Sequence, residues 1–345
     1  MVYGVKHSFR IREIAAQAGL SEATVDRVLN GRGGVRESTA QEVRLAIAEL
    51  DRQRTQVRLG GRTFMVDVVV QAPPRFSAAI RAALEAELPG LRPAVFRARF
   101  HLLDSPSAAD VEAVLDRIGR TRSHGVILKA PDVPEVVAAT RRLTAPLVTL
   151  VTDLPGSPRV TYVGIDNRAA GATAAYLIQH WLGDRPGDVL VVRGHGSFRG
   201  EDEREAGFRA ELAGGVARRV LEVVDAEDRA DAVGAGIREV LAGHGPVRAI
   251  YSLYAGAGGN AAVVAAFATQ HRSYDVFVAH DLDGENTALL RERKLSVVLH
   301  HDLRTDLRRA CHAIMQAQGV LPGPVRTNPS AVQVITPHNA PPVEF

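Results

Sequence analysis

Residues 9–30 read FRIREIAAQAGLSEATVDRVLN, and the class of the chain turns on this stretch. Ile11, Ile14, Ala15 and Ala18 recur at helical spacing on one face. Gly19 falls where a helix ends in a left-handed residue, a conformation that glycine adopts without steric cost. Ser21 is placed to accept a hydrogen bond from the backbone N–H of Thr24 or Ala23 and so to cap a second helix. That helix turns Val25, Val28 and Leu29 inward and leaves Glu22, Ala23, Asp26 and Arg27 outward. A helix, a glycine turn and a short helix with a polar outer face suggest a helix-turn-helix that reads DNA.

Working outward, residues 31–34 (GRGG) form a turn, and a third helix is expected from about Glu37 to Asp51. Val43, Ile47 and Leu50 give that helix an apolar stripe able to close a small three-helix core. Residues 52–63 (RQRTQVRLGGRT) are polar, basic and interrupted by Gly-Gly, the composition of a linker. Residues 1–62 hold eleven Lys or Arg against seven Asp or Glu, a balance of +4, while the whole chain carries +3. A basic segment on a near-neutral body suits a headpiece that contacts phosphates.

The remaining length fits one or two large domains, since the chain has 345 residues. The single cysteine, Cys311, excludes an intrachain disulfide and a cysteine-based metal cluster, and its apolar surroundings read as core. No apolar run reaches the ~20 residues of a membrane span, and the N-terminus lacks the apolar centre of an export signal. A cytoplasmic protein without a membrane contact is expected.

From Phe64 onward, short β-branched runs alternate with amphipathic helices. The runs are 65–70, 126–128, 147–151, 160–165, 189–192, 220–224, 249–251, 276–279, 297–299 and 332–335. The clearest helices are 77–88, 107–120, 168–182, 228–242 and 303–318. This alternation predicts α/β architecture with parallel sheets covered on both faces. Ten strands exceed one comfortable sheet, so two similar lobes are expected. Ligands of open α/β sheets bind beyond the carboxyl ends of strands. The polar residues there include Gln71, Arg75, Phe76, Lys129, Asp132, Asp153, Asp166, His195, Tyr254, Asn260, Asp281 and the 300–302 His-His-Asp run. Carboxylates, an arginine and aromatic rings at such positions suit a polyhydroxylated ligand.

These features together resemble the LacI family of transcriptional regulators. The resemblance is carried by residues 18–30 (AGLSEATVDRVLN), 35–39 (VREST), 162–171 (YVGIDNRAAG) and 204–208 (REAGF). It implies a helix-turn-helix headpiece over 1–51, a hinge or linker over 52–63, and a two-lobed core like periplasmic sugar-binding proteins over 64–345. Lobe 1 would take about 64–164 and 302–330, and lobe 2 about 165–301 and 331–345. For DNA the resemblance implies Glu22, Ala23 and Arg27 as base readers, with Ser21, Thr24 and Asn30 setting the dock. Leu59 matches the leucine that wedges the minor groove. Asp26 stands where the family usually has serine. A carboxylate there repels phosphate unless it accepts from a cytosine amino group or pairs with Arg27.

In the core the resemblance implies effector contacts at Asp166, Arg204 and Asp281, with Arg75, Phe76, Asp153, Tyr254 and His301 as further placements. The implied partners are palindromic operator DNA, a sugar-like small-molecule effector and a second copy of the chain. No cofactor, metal or catalytic residue is expected. The contrasting reading is an α/β enzyme with an accessory helical domain. Against it, residues 194–200 (GHGSFRG) lack dinucleotide and P-loop spacing, and no Gly-x-Ser-x-Gly elbow occurs. His300, His301 and Asp302 are adjacent on a strand and so point to opposite faces, a poor metal cage. Arg304, Arg308 and Arg309 read as a solvated helix face partnered by Asp302 and Asp306.

Overall fold

The computed structural model describes residues 9–59, 63–104, 107–194, 198–225, 229–326 and 328–341, with the side chains of Glu49 and residues 51–59 outside the description. His195 and the side chain of Leu59 therefore lie outside the described residues. The chain divides into two compact units, Met1–Thr63 with Arg92–Val95, and the remainder.

In the first unit, α1 (Ile11–Ala18) and α2 (Glu22–Leu29) are followed by α3 (Glu37–Leu59). Ile14, Val25 and Val43 are fully buried against one another, with Ala15 and Ala46 beside them. Ile11, Ala18, Val28, Leu29, Ile47 and Leu50 pack around this nucleus. The third helix does not stop near Asp51. It continues to Leu59, through most of the segment expected as a linker. Arg and Gln are good helix formers, and residues 52–59 contain no glycine or proline to end the helix.

In the second unit, one sheet has the order β2-β1-β3-β4-β5. Its strands are β1 (Thr63–Gln71), β2 (Val95–Leu103), β3 (Gly125–Lys129), β4 (Leu147–Leu150) and β5 (Thr161–Val163). The other sheet has the order β11-β10-β9-β8-β6-β7. It is built from β6 (Asp188–Gly194), β7 (Val220–Asp225), β8 (Val247–Ser252), β9 (Val276–His280), β10 (Val297–His300) and β11 (Gln333–Ile335). Helices α4 (Pro74–Glu87), α5 (Ala108–Gly119), α6 (Pro134–Thr140), α7 (Asn167–Leu182) and α8 (Arg199–Ala213) come first along the chain. They are followed by α9 (Ala230–Gly243), α10 (Gly259–Thr269), α11 (Gly284–Arg291) and α12 (Leu303–Ala317).

Both faces of the second sheet are covered, and consecutive residues show why its strands read as unbroken apolar runs. Leu190 and Val192 of β6 enter one core with Phe277 and Leu290. Their neighbours Val189 and Val191 enter another with Phe208 and Tyr251. Side chains of a strand alternate between faces, so a doubly covered strand is apolar throughout. The ladders among β10, β9, β8, β6 and β7 are parallel, and β11 runs antiparallel to β10.

All ten expected strands are present, and β2 is an eleventh. Its sequence alternates apolar residues with Arg97, Arg99 and His101, so it lacks the β-branched run that marks the others. The charges are explained by Asp67, a carboxylate on β1 with 1 % exposure. Arg99 donates to both its oxygens at 2.9 and 2.6 Å, and a ring nitrogen of His101 lies 2.8 Å away. An edge strand thus supplies the partners of a buried charge one strand inward. Burial raises the Asp67 pKa, but the His101 and Arg99 hydrogen bonds outweigh it and bring the value down to about 2 from 3.8.

The chain passes between the sheets after β5, after β10 and on its return from α12 to β11. α12 packs on α4, β4 and β5 of the first sheet, whereas α7 packs on α8, β8 and β9 of the second. Two of these passages touch, since Ile165 and Ser330 form an isolated parallel bridge. Arg304 and Arg308 of α12 are exposed as expected, but their partner is neither Asp302 nor Asp306. Arg304 and Arg308 both donate to the buried Glu87 of α4, at 2.9 and 2.6 Å. Arg309 donates to Ser330 at 2.7 Å and to the Asn328 carbonyl. Cys311 is fully buried in this packing, which pushes its thiol up to about 12.

The depressed pKa of Asp67 makes a stability prediction. Its contribution is present above the ordinary value of 3.8 and lost as pH falls through about 2. At neutral pH it amounts to about 2 kcal/mol. In urea titrations, Asp67→Asn should fall below wild type by roughly that amount at pH 7, and the gap should shrink steadily below pH ~4. A gap that does not change with pH contradicts this assignment.

Candidate functional site

The headpiece presents the first candidate surface. Gly19 closes α1 at φ 67°, and its N–H donates to the Ala15 carbonyl. Ser21 caps α2: its Oγ accepts from the Thr24 N–H at 3.2 Å and lies 2.8 Å from the Thr24 hydroxyl. Glu22, Ala23 and Arg27 are exposed on α2, and Val25 anchors the helix from beneath. Asp26 does not pair with Arg27. Its carboxylate accepts from Asn30 Nδ2 at 2.7 Å and from Arg32 at 2.8 Å. Arg32 comes from the glycine-rich turn that follows, which curls back over the end of α2. The carboxylate is thereby neutralised within the headpiece, and Asn30 is occupied by the same contact.

The second candidate site is the cleft between the sheets. Its placement follows from two glycines. A Cβ on Gly171 of α7 would overlap the backbone carbonyl of Arg204, and a Cβ on Gly207 of α8 would overlap that of Arg168. The backbones of α7 and α8 therefore touch, and this contact carries Arg204 to the passage between the lobes. There Arg204 is 5 % exposed. It donates from Nε to Asn167 Oδ1 at 2.8 Å and to the Leu253 carbonyl at 3.2 Å. Asn167 also donates to the Val151 carbonyl and to the Tyr162 hydroxyl, both at 3.2 Å. Arg204 thus locks the junction behind the cleft.

Five of the eight expected effector residues line one cavity: Arg75, Phe76, Tyr254, Asp281 and His301. Phe76 comes from the first turn of α4, whose Pro74 suits a helix start. Asp281 follows β9 with φ 64°. His301 ends the passage from β10 into α12. Arg75 also spans the cleft: it forms an ion pair with Asp283, donates to the Gly256 carbonyl at 3.2 Å and stands 3.9 Å from Glu285. Two further contacts cross between the lobes, Arg199 to Asp132 at 3.6 Å and the Gly200 N–H to Thr152 at 3.1 Å.

Asp153 and Asp166 do not line this cavity. Asp153 is held by Arg159 at 2.5 and 2.6 Å, by the Thr149 hydroxyl at 2.8 Å and by the Leu154 N–H at 2.9 Å. Asp166 is exposed and caps α7, accepting from the Ala169 N–H at 2.9 Å. Its neighbour Asn167 takes the inward position.

Two cleft residues stand outside the expected effector set. Lys129, at the end of β3, donates to the Gln71 carbonyl at 2.9 Å. Its ammonium lies 3.9 Å from the centre of the Phe198 ring and 5.6 Å from that of Phe76. Burial lowers its pKa to about 8 against the attraction of Glu201 and Asp281. Burial likewise raises the Glu201 carboxyl, and Arg204 and Lys129 pull it back. The two residues share one desolvated environment of opposite charges. The strand-end position marked Lys129 as worth inspecting, but Glu201 has no local signal apart from its place at the start of α8.

Residues 103–317 match the periplasmic binding protein domain, and residues 10–53 match the bacterial regulatory proteins of the lacI family. The chain belongs to the periplasmic binding protein domain family, and its head matches the lacI family. Its head is 54 % identical over 54 residues to the HTH-type transcriptional regulator MalR of Streptomyces coelicolor, a match covering 16 % of this chain and 15 % of that protein. The sucrose operon repressor of Vibrio alginolyticus is 49 % identical over 39 residues, 11 % of this chain and 42 % of that one. In each case the match spans well under two thirds of the relative. Among solved structures, a solute-binding protein from Burkholderia graminis in complex with D-arabinose has the same fold. The TM-score is 0.73 at 18 % identity, covering 81 % of this chain and 97 % of that one. The lacI-family head and a periplasmic-binding-protein-like core thus stand in one chain. No helix among the described residues is long and apolar enough to cross a membrane.

The α7–α8 contact can be tested through its glycines. Gly207→Ala forces a methyl group into the Arg168 carbonyl and should cost about 3 kcal/mol or more. Gly243→Ala, at a helix end with open space around the new methyl, should change stability by less than ~1 kcal/mol. Equal urea midpoints for the two variants would contradict a backbone contact at Gly207.

Proposed function

We propose that this lacI-family protein is a cytoplasmic transcriptional regulator that represses by binding a palindromic operator as a dimer, and that a sugar-like effector in the cleft controls it. The carrying observation is the pairing in one chain of a capped helix-turn-helix with a cleft whose lobes are joined by three passages. Glu22, Ala23 and Arg27 are the exposed residues of α2 and serve as base readers. Arginine favours guanine through O6 and N7. Ser21 and Thr24 hold the N-terminus of that helix, and the Asn30–Asp26–Arg32 cluster holds its other end. With Asp26 already neutralised by Arg32, its carboxylate adds little repulsion against phosphate. Leu59, the last residue of α3, would be the minor-groove wedge.

For the effector, carboxylates, an amide and imidazoles supply hydrogen bonds, and Phe76 and Tyr254 offer apolar faces for a sugar ring. Asp281, His301, Phe76 and Tyr254 would contact the effector directly. Arg75 would respond to it through its bridge to Asp283, and Arg204 through the passage that it locks. Asp166 would act at the first passage, at the start of α7, and Asp153 by shaping the turn between β4 and β5. An effector that prefers one lobe arrangement shifts the headpiece equilibrium, and by linkage operator binding shifts effector affinity equally.

Selection from a randomised DNA pool followed by fluorescence anisotropy tests the reading. A two-fold symmetric site should emerge. Arg27→Ala should weaken it by about 1–3 kcal/mol and relax the base preference at one position per half-site. Affinity should fall steeply with salt. Asymmetric or sequence-indifferent selection would overturn the proposal.

A further inference from the structure

The cavity between the lobes has a fixed hydrogen-bonding polarity, set by residues behind its surface. Asn286 donates from Nδ2 to the carbonyls of His280 and Asp281 at 2.9 and 2.7 Å. Its Oδ1 must therefore accept, and it does so from Asn260 Nδ2 at 2.8 Å. That leaves Asn260, 5 % exposed, with its oxygen unpartnered on the cavity wall.

A second relay acts on His301, 1 % exposed. Its Nδ1 lies 2.6 Å from Asp306, a fully buried carboxylate that also accepts from Ser330. The carboxylate holds a proton on Nδ1, so when the ring is neutral the lone pair of Nε2 is turned outward. Nε2 has no hydrogen-bond partner and stands 3.9 Å from Asp281 Oδ1. Two acceptors at that separation do not bond each other, but one donor group between them can reach both.

A third contact lies behind His280. Its Nε2 is 2.8 Å from the hydroxyl of the fully buried Tyr251, and either atom can be the donor. His280 is neutral, because burial holds its pKa well below the ordinary value. Its Nδ1 is unpartnered, and His280 lines the same cavity, where a hydroxyl can complement either tautomer.

We infer that the effector presents a primary amine between Asp281 and His301, with a neighbouring hydroxyl towards Asn260 and His280: the vicinal amino alcohol of an amino sugar. A hydroxyl has one hydrogen and cannot serve both Asp281 and His301, whereas an ammonium has three. It also meets the charge of Asp281, which feels Lys129 at longer range but has no Lys or Arg within ion-pair distance among the described residues. This inference rests on the cleft being the effector site.

The full chain is tested by isothermal titration with glucosamine, galactosamine and mannosamine, each against its parent hexose and its N-acetyl form. At least one amine should bind ten-fold or more tightly than both its parent and its N-acetyl form. Asp281→Asn keeps a residue type tolerant of positive φ and should bring amine and parent to parity without changing the melting temperature of the free protein. A parent hexose that binds as well as its amine overturns the amine inference and leaves the sugar reading standing. An amine preference that survives in Asp281→Asn overturns the assigned site. Silence across amines, hexoses and N-acetyl forms overturns both.

Discussion

The arrangement of the core depends on the contact between α7 and α8, where two glycines let helix backbones meet without side chains between them. Ridges and grooves normally hold helices 8–10 Å apart, and here the absence of Cβ atoms at Gly171 and Gly207 removes the spacer. Because α7 begins at the first passage between the sheets and α8 begins at the cleft, this one contact aligns both. Asn167 at the start of α7 then meets Arg204 one turn into α8. The guanidinium is buried, and burial of a charge is tolerated only where hydrogen bonds replace water. The same interaction that makes the packing possible also makes the junction unable to tolerate a loose fit.

Charge inside the cleft follows the same rule. Lys129 and Glu201 are both removed from water, and burial moves each towards its neutral form. Neither forms an ion pair within the cleft among the described residues, and Lys129 donates to the Gln71 carbonyl instead. Arg75, by contrast, is committed to Asp283 across the lobes.

Much of this was legible from residues alone where the determinants are local. The left-handed Gly19, the Ser21 cap and the apolar stripe of α1 are decided within a few positions, and they stand as read. The β-branched runs are legible because both faces of the sheets are covered. β2 escaped because its alternate residues serve Asp67 on a neighbouring strand, information that no local pattern holds. α3 ran past its expected end because a charged, glycine-free segment reads equally as linker or helix. In the cleft, strand-end position marked Arg75, Phe76, Tyr254, Asp281 and His301, since topology alone brings such residues together. It could not separate them from Asp153, which is taken by Arg159, or from Asp166, which is taken by its own helix. Nor could it show that Asp306 and Asn286 set the polarity of the groups in front of them, because that is a property of the packed interior.

The central claim is that one chain couples a cleft to a DNA-reading head, and reciprocity is its most direct test. Effector affinity should be measured by titration calorimetry with the free protein and with the protein saturated by its selected operator. If the account is right, the operator changes effector affinity by the same factor by which the effector changes operator affinity. An effector that binds with the same affinity whether or not the operator is present shows no coupling between cleft and head and would contradict the account.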